Sequence, residues 1–236
     1  MKETVWSLGS RGARMSKGEE TRQRIVAQAA AMFNQHGFDG SSLSALVKAT
    51  GLEKGGIYRH FSSKEELAAE AFDYAWKAAW DARMRDLDSI ANSVDKLKQL
   101  IANFVSRRSS VPGGCPLLNT AVDADDGNPI LRESALKALG VWRAHLVSII
   151  TAGKKSREIK PGVDPAALAT LIISSLEGAL VLSRLERDPR PLQAAQAHLE
   201  HYMETEVRQQ KRHDRPAVRV PTGKSLNSKS SLRNED

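Results

Sequence analysis

Several groupings in this 236-residue chain have residue types suited to catalysis or metal binding, and each lacks the spacing. Asp123-Ala124-Asp125-Asp126-Gly127 starts like a calcium loop. Its fifth position is glycine, however, and its twelfth is Ser134 where a bidentate glutamate is needed. Gly153-Lys154-Lys155-Ser156 ends like a phosphate-binding loop, but no glycine stands five residues before Gly153, and a helical pattern precedes it in place of a strand. His198 and His201 miss the i, i+4 spacing of a helical zinc site, and no Gly-x-Ser-x-Gly elbow occurs. Neither an enzyme nor a metal or cofactor site is expected. Two single residues keep their interest. Glu177 interrupts the apolar run ALATLIISSLEGALVL, where an unpaired carboxylate is costly. It calls for an arginine across a dimer, or for a polar or cationic ligand. Cys115, the single cysteine, rules out an internal disulfide. Its Gly-Gly-Cys-Pro setting at a helix start favours a thiolate that could sense oxidants or electrophiles, unless Cys115 is simply a small core residue.

The remaining chemistry is recognition of a polyanion. Residues 41–61, SSLSALVKATGLEKGGIYRHF, read as a short helix, a tight turn at Thr50-Gly51, and a second short helix. With Ile57 and Phe61 inward at i, i+4, Gly55 and Arg59 face outward between Gly56 and Tyr58. Two glycines weaken a helix by ~1 kcal/mol each; their use would be close approach of the backbone to DNA. Arg59 can pair with guanine or a phosphate. The Tyr58 hydroxyl, Ser41, Ser42 and the first helix amides can bind phosphates.

Charge supports this reading. The net +7 divides into +3 over residues 1–24, +3 over 41–64 and +3 over 212–236, around a body (65–211) of −1 and a lone Asp39. Such segregation suits a nucleic-acid module attached to something else. No run of 18 uninterrupted apolar residues and no N-terminal apolar segment occurs, so neither a membrane partner nor a secretory signal is expected, and a cytoplasmic location is.

The elements that must position these groups are all helical, about nine in number, and no β-alternation persists. A helix over 19–36 carries Ile25, Ala29 and Phe33 and stops at Gly37. Ser41 is the expected N-cap of the next, and Ser63 with Glu66 has the spacing of a capping box. Further helices are expected over 64–86, 93–108, 116–124, 128–155, 164–187 and 191–210, two of them opened by Asn128-Pro129 and Asp164-Pro165. The chain divides into a flexible basic arm (1–18), a DNA-binding domain (19–66), a larger helical domain (67–211) and a disordered basic tail (212–236).

Residues 20–67 resemble the N-terminal DNA-binding domain of TetR/AcrR-type transcriptional regulators. The marks are Ala-x-x-x-Phe, His-Gly-Phe, Gly-Leu-x-Lys-Gly, and Ile-Tyr-x-His-Phe-x-Ser-Lys-Glu-Glu-Leu. The resemblance implies DNA contacts from Ser41, Ser42, Lys54, Gly55, Tyr58, Arg59, His60 and Lys64. Gly56 stands where the family often has Thr, Ser or Ala, and His60 could instead pack beside Phe61. Residues 70–210 match the family in helical layout, and Gly-Gly-Cys-Pro-Leu-Leu-Asn looks like the sixth helix of a subgroup of multidrug and stress-responsive repressors. The implied function is a homodimeric repressor released from a palindromic double-stranded DNA operator by a small-molecule effector. An activator, a nucleoid-associated binder, and a basic-surfaced helical enzyme or carrier are the alternatives. The effector would lie between helices among Trp76, Trp80, Phe104, Cys115, Leu118, Asn119, Trp142 and Glu177, although core packing also explains the aromatics. The 165–187 helix is apolar nearly all round. It and the last helix would supply a four-helix dimer interface through Leu176, Gly178, Leu180, Leu199 and Tyr202.

Overall fold

A computed structural model describes residues 16–107, 109–124 and 127–210. Apart from residues 16–18, the expected basic arm lies outside this range, as does the expected tail over 212–236. The described residues form nine α-helices: α1 (Lys17–His36), α2 (Leu43–Thr50), α3 (Lys54–Tyr58), α4 (Lys64–Met84), α5 (Ser93–Ser106), α6 (Pro116–Asp123), α7 (Pro129–Lys155), α8 (Pro165–Glu186) and α9 (Arg190–Tyr202).

Side-chain caps set most of the starts, because the first amides of a helix have no partner within it. The Ser16 hydroxyl accepts from the Glu19 amide at 3.2 Å and starts α1 before the expected residue 19. Ser42, not Ser41, caps α2, accepting from the Ala45 amide at 3.1 Å. Ser63 caps α4 through the Glu66 amide, but the Glu66 carboxylate returns to the amide of Ser62, not of Ser63, so only half of the expected box closes. Asn128 and Asp164 cap α7 and α8, each followed by proline at the first helical position.

Two large cores result, and α4 belongs to both; Ala68, Ala124 and Leu131 form a third, smaller cluster. Ile25, Ala29, Leu46, Ile57, Phe61 and Leu67 close the head around α1–α3. Trp76, Leu97, Ile101, Trp142, Leu146 and Ile172 anchor the body. Ala71 and Ala75 face the head core while Phe72 and Trp76 face the body. The expected boundary at 66/67 therefore falls within a continuous helix. Two helices, α7 and α8, are long and apolar enough to cross a membrane by length and composition, yet α7 places Trp142 and Leu146, and α8 Ile172 and Leu176, in the body core.

The expected helix over 191–210 is not uniform. It leaves α geometry at Tyr202 and widens into a π-helical turn, Met203–Val207. The Arg208 amide donates to the Met203 carbonyl at 2.8 Å, and both Met203 and Val207 stay fully buried. Beyond the turn, an isolated antiparallel bridge pairs Ile159 with Arg208. The Arg208 side chain then ties this end to α5 through Asp95, and to Glu204, which also accepts from Lys98 at 2.7 Å. Hydrogen bonds from Arg208 and Lys98 hold the Glu204 carboxyl down to about 2. A carboxyl depressed on folding contributes stability above its ordinary value of 4.5, and that contribution is lost as pH falls toward the folded value. Acid unfolding followed by circular dichroism is expected to be shallower over this window in Glu204→Gln than in wild type. The contribution is modest, because the pair is half exposed.

Candidate nucleic-acid interface and buried polar cluster

The head presents one small basic face. Leu46 at the centre of α2 and Ile57 and Phe61 after the turn are buried, which fixes the rotation of both helices. The Thr50 hydroxyl donates to the Leu46 carbonyl at 2.9 Å and accepts from the Leu52 amide at 3.3 Å, stitching the turn where Gly51 adopts the left-handed region. Arg22 braces the back of the head, ion-paired with Glu70 and lying 4.7 Å above the Phe61 ring. The outer face of α3 is then Lys54, Gly55, Tyr58 and Arg59, all exposed. A Cβ at Gly55 would meet nothing within 4 Å, so the backbone there is open to a surface brought against it. At Gly56 a Cβ would touch Leu52 at 3.5 Å, an ordinary contact.

Three expected DNA contacts are differently placed. Ser41 is buried and donates its hydroxyl to the Gly37 carbonyl at 2.7 Å, which takes it out of reach of a phosphate. Its rotation inward follows from Ser42 taking the cap. Lys64 folds back to donate to the Phe38 carbonyl at 2.6 Å, with its ammonium 4.0 Å from the Phe38 ring centroid. His60 is half-buried beside Phe61. Ser42 stays exposed, its hydroxyl shared between the α2 amide and Ser44.

The body holds a second, buried grouping, and its central member, Arg83, was not expected. The Arg83 guanidinium lies 4.4, 4.6 and 5.4 Å from the ring centroids of Trp142, Phe104 and Trp76. Phe104 stacks on Trp142 at 5.8 Å, and Trp80 continues the aromatic row toward His145. Arg83 Nη2 donates to Cys115 Sγ at 3.0 Å, and Cys115 donates to Glu177 Oε1 at 2.8 Å. Arg83 and Glu177 are 3.8 Å apart. The arginine that answers Glu177 thus comes from α4 of the same chain rather than from across a dimer. Sequence spacing carried the signal: Arg83 follows Trp76 by seven residues, close to two full helical turns, on the same buried stripe of α4.

The electrostatics revise the expected reactive thiol. Burial pushes the Cys115 thiol up to about 11, and the neighbouring Glu177 adds to that, against the pull of Arg83. The thiol form therefore prevails near neutral pH. Cys115 acts here as a hydrogen-bond donor. Burial also raises the Glu177 carboxyl, opposed by Arg83 and by the Cys115 hydrogen bond. The cluster is under-paired: Arg83 Nη1, Glu177 Oε2 and Trp142 Nε1 are all buried without a partner. Each such atom costs about 1–3 kcal/mol.

Asn119 does not join this cluster. It faces α1, donating to the Asn34 carbonyl and side-chain oxygen at 2.9 Å each and to the Gly113 carbonyl at 2.8 Å. Asn34 in turn donates to the carbonyls of Pro112 and Gly114 at 2.8 and 3.3 Å. Gly113 has φ +113°, and a Cβ there would stand 2.4 Å from the Asn34 carbonyl oxygen. Nearby, Asp123 at the end of α6 accepts from the Phe38 amide at 2.6 Å. The loop that delivers Cys115 to the buried cluster is therefore clamped to the end of α1. Leu118 packs at the edge of the body core. Removing one member of the buried pair strands the other charge. Arg83→Ala is expected to cost about 3–5 kcal/mol in urea unfolding, and Arg83→Met with Glu177→Gln distinctly less.

The comparisons with known proteins agree with this geometry. Residues 25–71 match the profile described as bacterial regulatory proteins of the tetR family, and residues 93–199 match the tetracyclin repressor-like C-terminal domain. A TetR transcriptional regulator from Chloroflexus aurantiacus J-10-FL, solved by crystallography, is 44% identical. The match covers 83% of this chain and 100% of that one, with a TM-score of 0.80. A TetR-family regulator from Cytophaga hutchinsonii is 32% identical over 84% of this chain and 100% of its own, with a TM-score of 0.78. The HTH-type transcriptional repressor DhaR of Mycobacterium sp. strain GP1 is 25% identical over 172 residues, 72% of this chain and 86% of that protein. Profile, sequence and fold thus converge, and the chain belongs to the TetR family of DNA-binding transcriptional regulators, a family of regulators and not of enzymes.

Proposed function

We propose that the protein is a homodimeric, cytoplasmic repressor that holds a palindromic operator and leaves it when a small molecule binds in the body. The observation that carries the DNA half is the outer face of α3. Lys54, Tyr58 and Arg59 are exposed there around a Gly55 that offers no side chain, while Ile57 anchors the helix from behind. Such a face fits a major groove, with Arg59 reaching a base edge or a phosphate and Ser42 and Tyr58 reaching phosphates. Lys54, 5.9 Å from the Tyr58 ring centroid, adds charge to the same patch. An operator of two half-sites requires two heads, which is the reason to expect a dimer.

The dimer is assigned to a revised surface. Leu176 and Leu199 are fully packed inside their own chain, so they cannot meet a partner. Leu180 and Tyr202 are half-buried against the body core. Gly178 is exposed, and around it Leu171, Val181, Leu182 and Leu185 form an outward stripe along α8. A stripe of large apolar residues flanking a glycine suits close packing of two α8 helices about a two-fold axis. Leu182→Asp with Leu185→Asp is expected to give a monomer by light scattering and to lose operator binding while keeping its helical circular dichroism.

Response to an effector would run through the clamp at Asn34. A ligand needs only to favour the state with DNA-incompetent head spacing over the competent one. The buried cluster is positioned to do this, because residues 112–114 connect Cys115 directly to the end of α1. The DNA-binding reading is tested by gel shift on the protein's own promoter. A salt-dependent complex confined to one palindrome is expected, weakened about five- to 150-fold by Arg59→Ala, a loss of ~1–3 kcal/mol, and less by Tyr58→Phe. Absence of a complex on any palindrome-bearing promoter fragment would contradict the reading.

A further inference from the structure

We propose that the Arg83 cluster is a receptor for small molecules that carry a carboxylate on a flat or apolar body. This rests on the reading of the body as an effector domain. Three buried polar atoms of the cluster lack partners: Arg83 Nη1, Trp142 Nε1 and Glu177 Oε2. The residues that hold them are all more than nine-tenths buried. Two of the three are donors. Neither the guanidinium nor the indole has an acceptor. A ligand rich in acceptor oxygens answers both donors. The groups facing Glu177 are Arg83 from α4 and Cys115 from the start of α6, and the Cys115 hydrogen bond is already spent on Oε1.

Charge decides between an anion and a cation. Aromatic faces such as those of Trp76, Phe104 and Trp142 attract cations, but Arg83 already occupies that position at 4.4–5.4 Å from their centroids. A cationic ligand would have to evict a fixed cation. An anion gains it as a counter-ion, and replaces Glu177 in that role. The near-parallel stack of Phe104 on Trp142, 15° apart, offers a plane against which a flat apolar body can lie. The rings now close on Arg83 itself.

The test uses the full chain, with benzoate, phenylacetate and hexanoate as anionic probes and choline and benzyltrimethylammonium as cationic ones. Calorimetry and thermal shift read binding; gel shift on the promoter fragment reads release. Carboxylates are expected to bind at least about tenfold more tightly than the cations. Glu177→Gln, which removes the carboxylate that competes with the ligand for Arg83, is expected to bind benzoate at least as tightly as wild type. Arg83→Met in a Glu177→Gln background is expected to raise Kd at least about tenfold while keeping helical content and dimer mass. Trp142→Phe, which keeps the ring and removes the N–H, is expected to weaken benzoate binding several-fold. The proposal is overturned by cation binding without carboxylate binding, by unchanged benzoate affinity in the Arg83→Met, Glu177→Gln protein, or by no carboxylate binding at about 10 mM. The outcomes separate from those for the function above. Benzoate binding with an undisturbed operator complex supports the receptor and contradicts the proposed release. Release by choline alone supports an effector-responsive repressor and contradicts this ligand class.

Discussion

A buried guanidinium lies within the body, and five helices contribute the groups around it. Arg83 comes from α4, Phe104 from α5, Cys115 from the first turn of α6, Trp142 from α7 and Glu177 from α8. Burying such a charge is tolerated only where opposite charge and polarizable faces surround it. The position of each helix relative to the others is therefore tied to one residue. The arrangement is also incomplete, with three buried polar atoms lacking partners. A protein selected for stability alone would do better with apolar residues of similar volume, so the cluster is more economically explained by recognition than by packing.

What makes that cluster relevant to DNA is its distance along the chain from the head. Cys115 is the N-cap of α6, and the two residues before it are glycines whose carbonyls are held by Asn34 and Asn119. Asn34 is in the last turn of α1, and α1 gives Ile25, Val26, Ala29 and Ala30 to the head core. The start of α6 is thus hydrogen-bonded to α1 directly, while α4 is shared by both cores. Contiguous packing and hydrogen bonding of this kind is what the proposed response to an effector would use.

Helix order and most boundaries were legible in the sequence, because Asn128-Pro129, Asp164-Pro165, Ser63 and Gly37 act locally and the apolar periodicity is strong. The face of α3 was legible for the same reason: Ile57 and Phe61 determine where Tyr58 and Arg59 must point. The misreadings share a cause. Ser41 and Ser42 are equally good caps, and only the path of the Gly37–Gly40 turn selects Ser42. Leu176 and Leu199 belong to a helix apolar on nearly all sides and to its neighbour, and composition does not say which side meets the chain's own core. Cys115 sits at a helix start that favours a thiolate in solution, but burial beside Glu177 reverses the sign. Arg83 and Asn34 were passed over because a polar residue on an apolar stripe reads as exposed until its partners, distant in sequence, are known. The π-helical turn at Met203 depends on contacts with residues 158–160 that no local pattern reveals.

The central claim is that the Arg83 cluster and the DNA-binding head are one mechanical unit joined at Asn34. Amide hydrogen exchange on the full-length protein tests it most directly, comparing wild type with the Arg83→Met, Glu177→Gln variant in the absence of any ligand. The account predicts faster exchange in the variant at Cys115 to Asn119 and also across the clamp at Asn34 to Phe38, with the Leu97–Ile101 segment of α5 little changed. A perturbation that stops at α6, leaving residues 34–38 exchanging as in wild type, would contradict it.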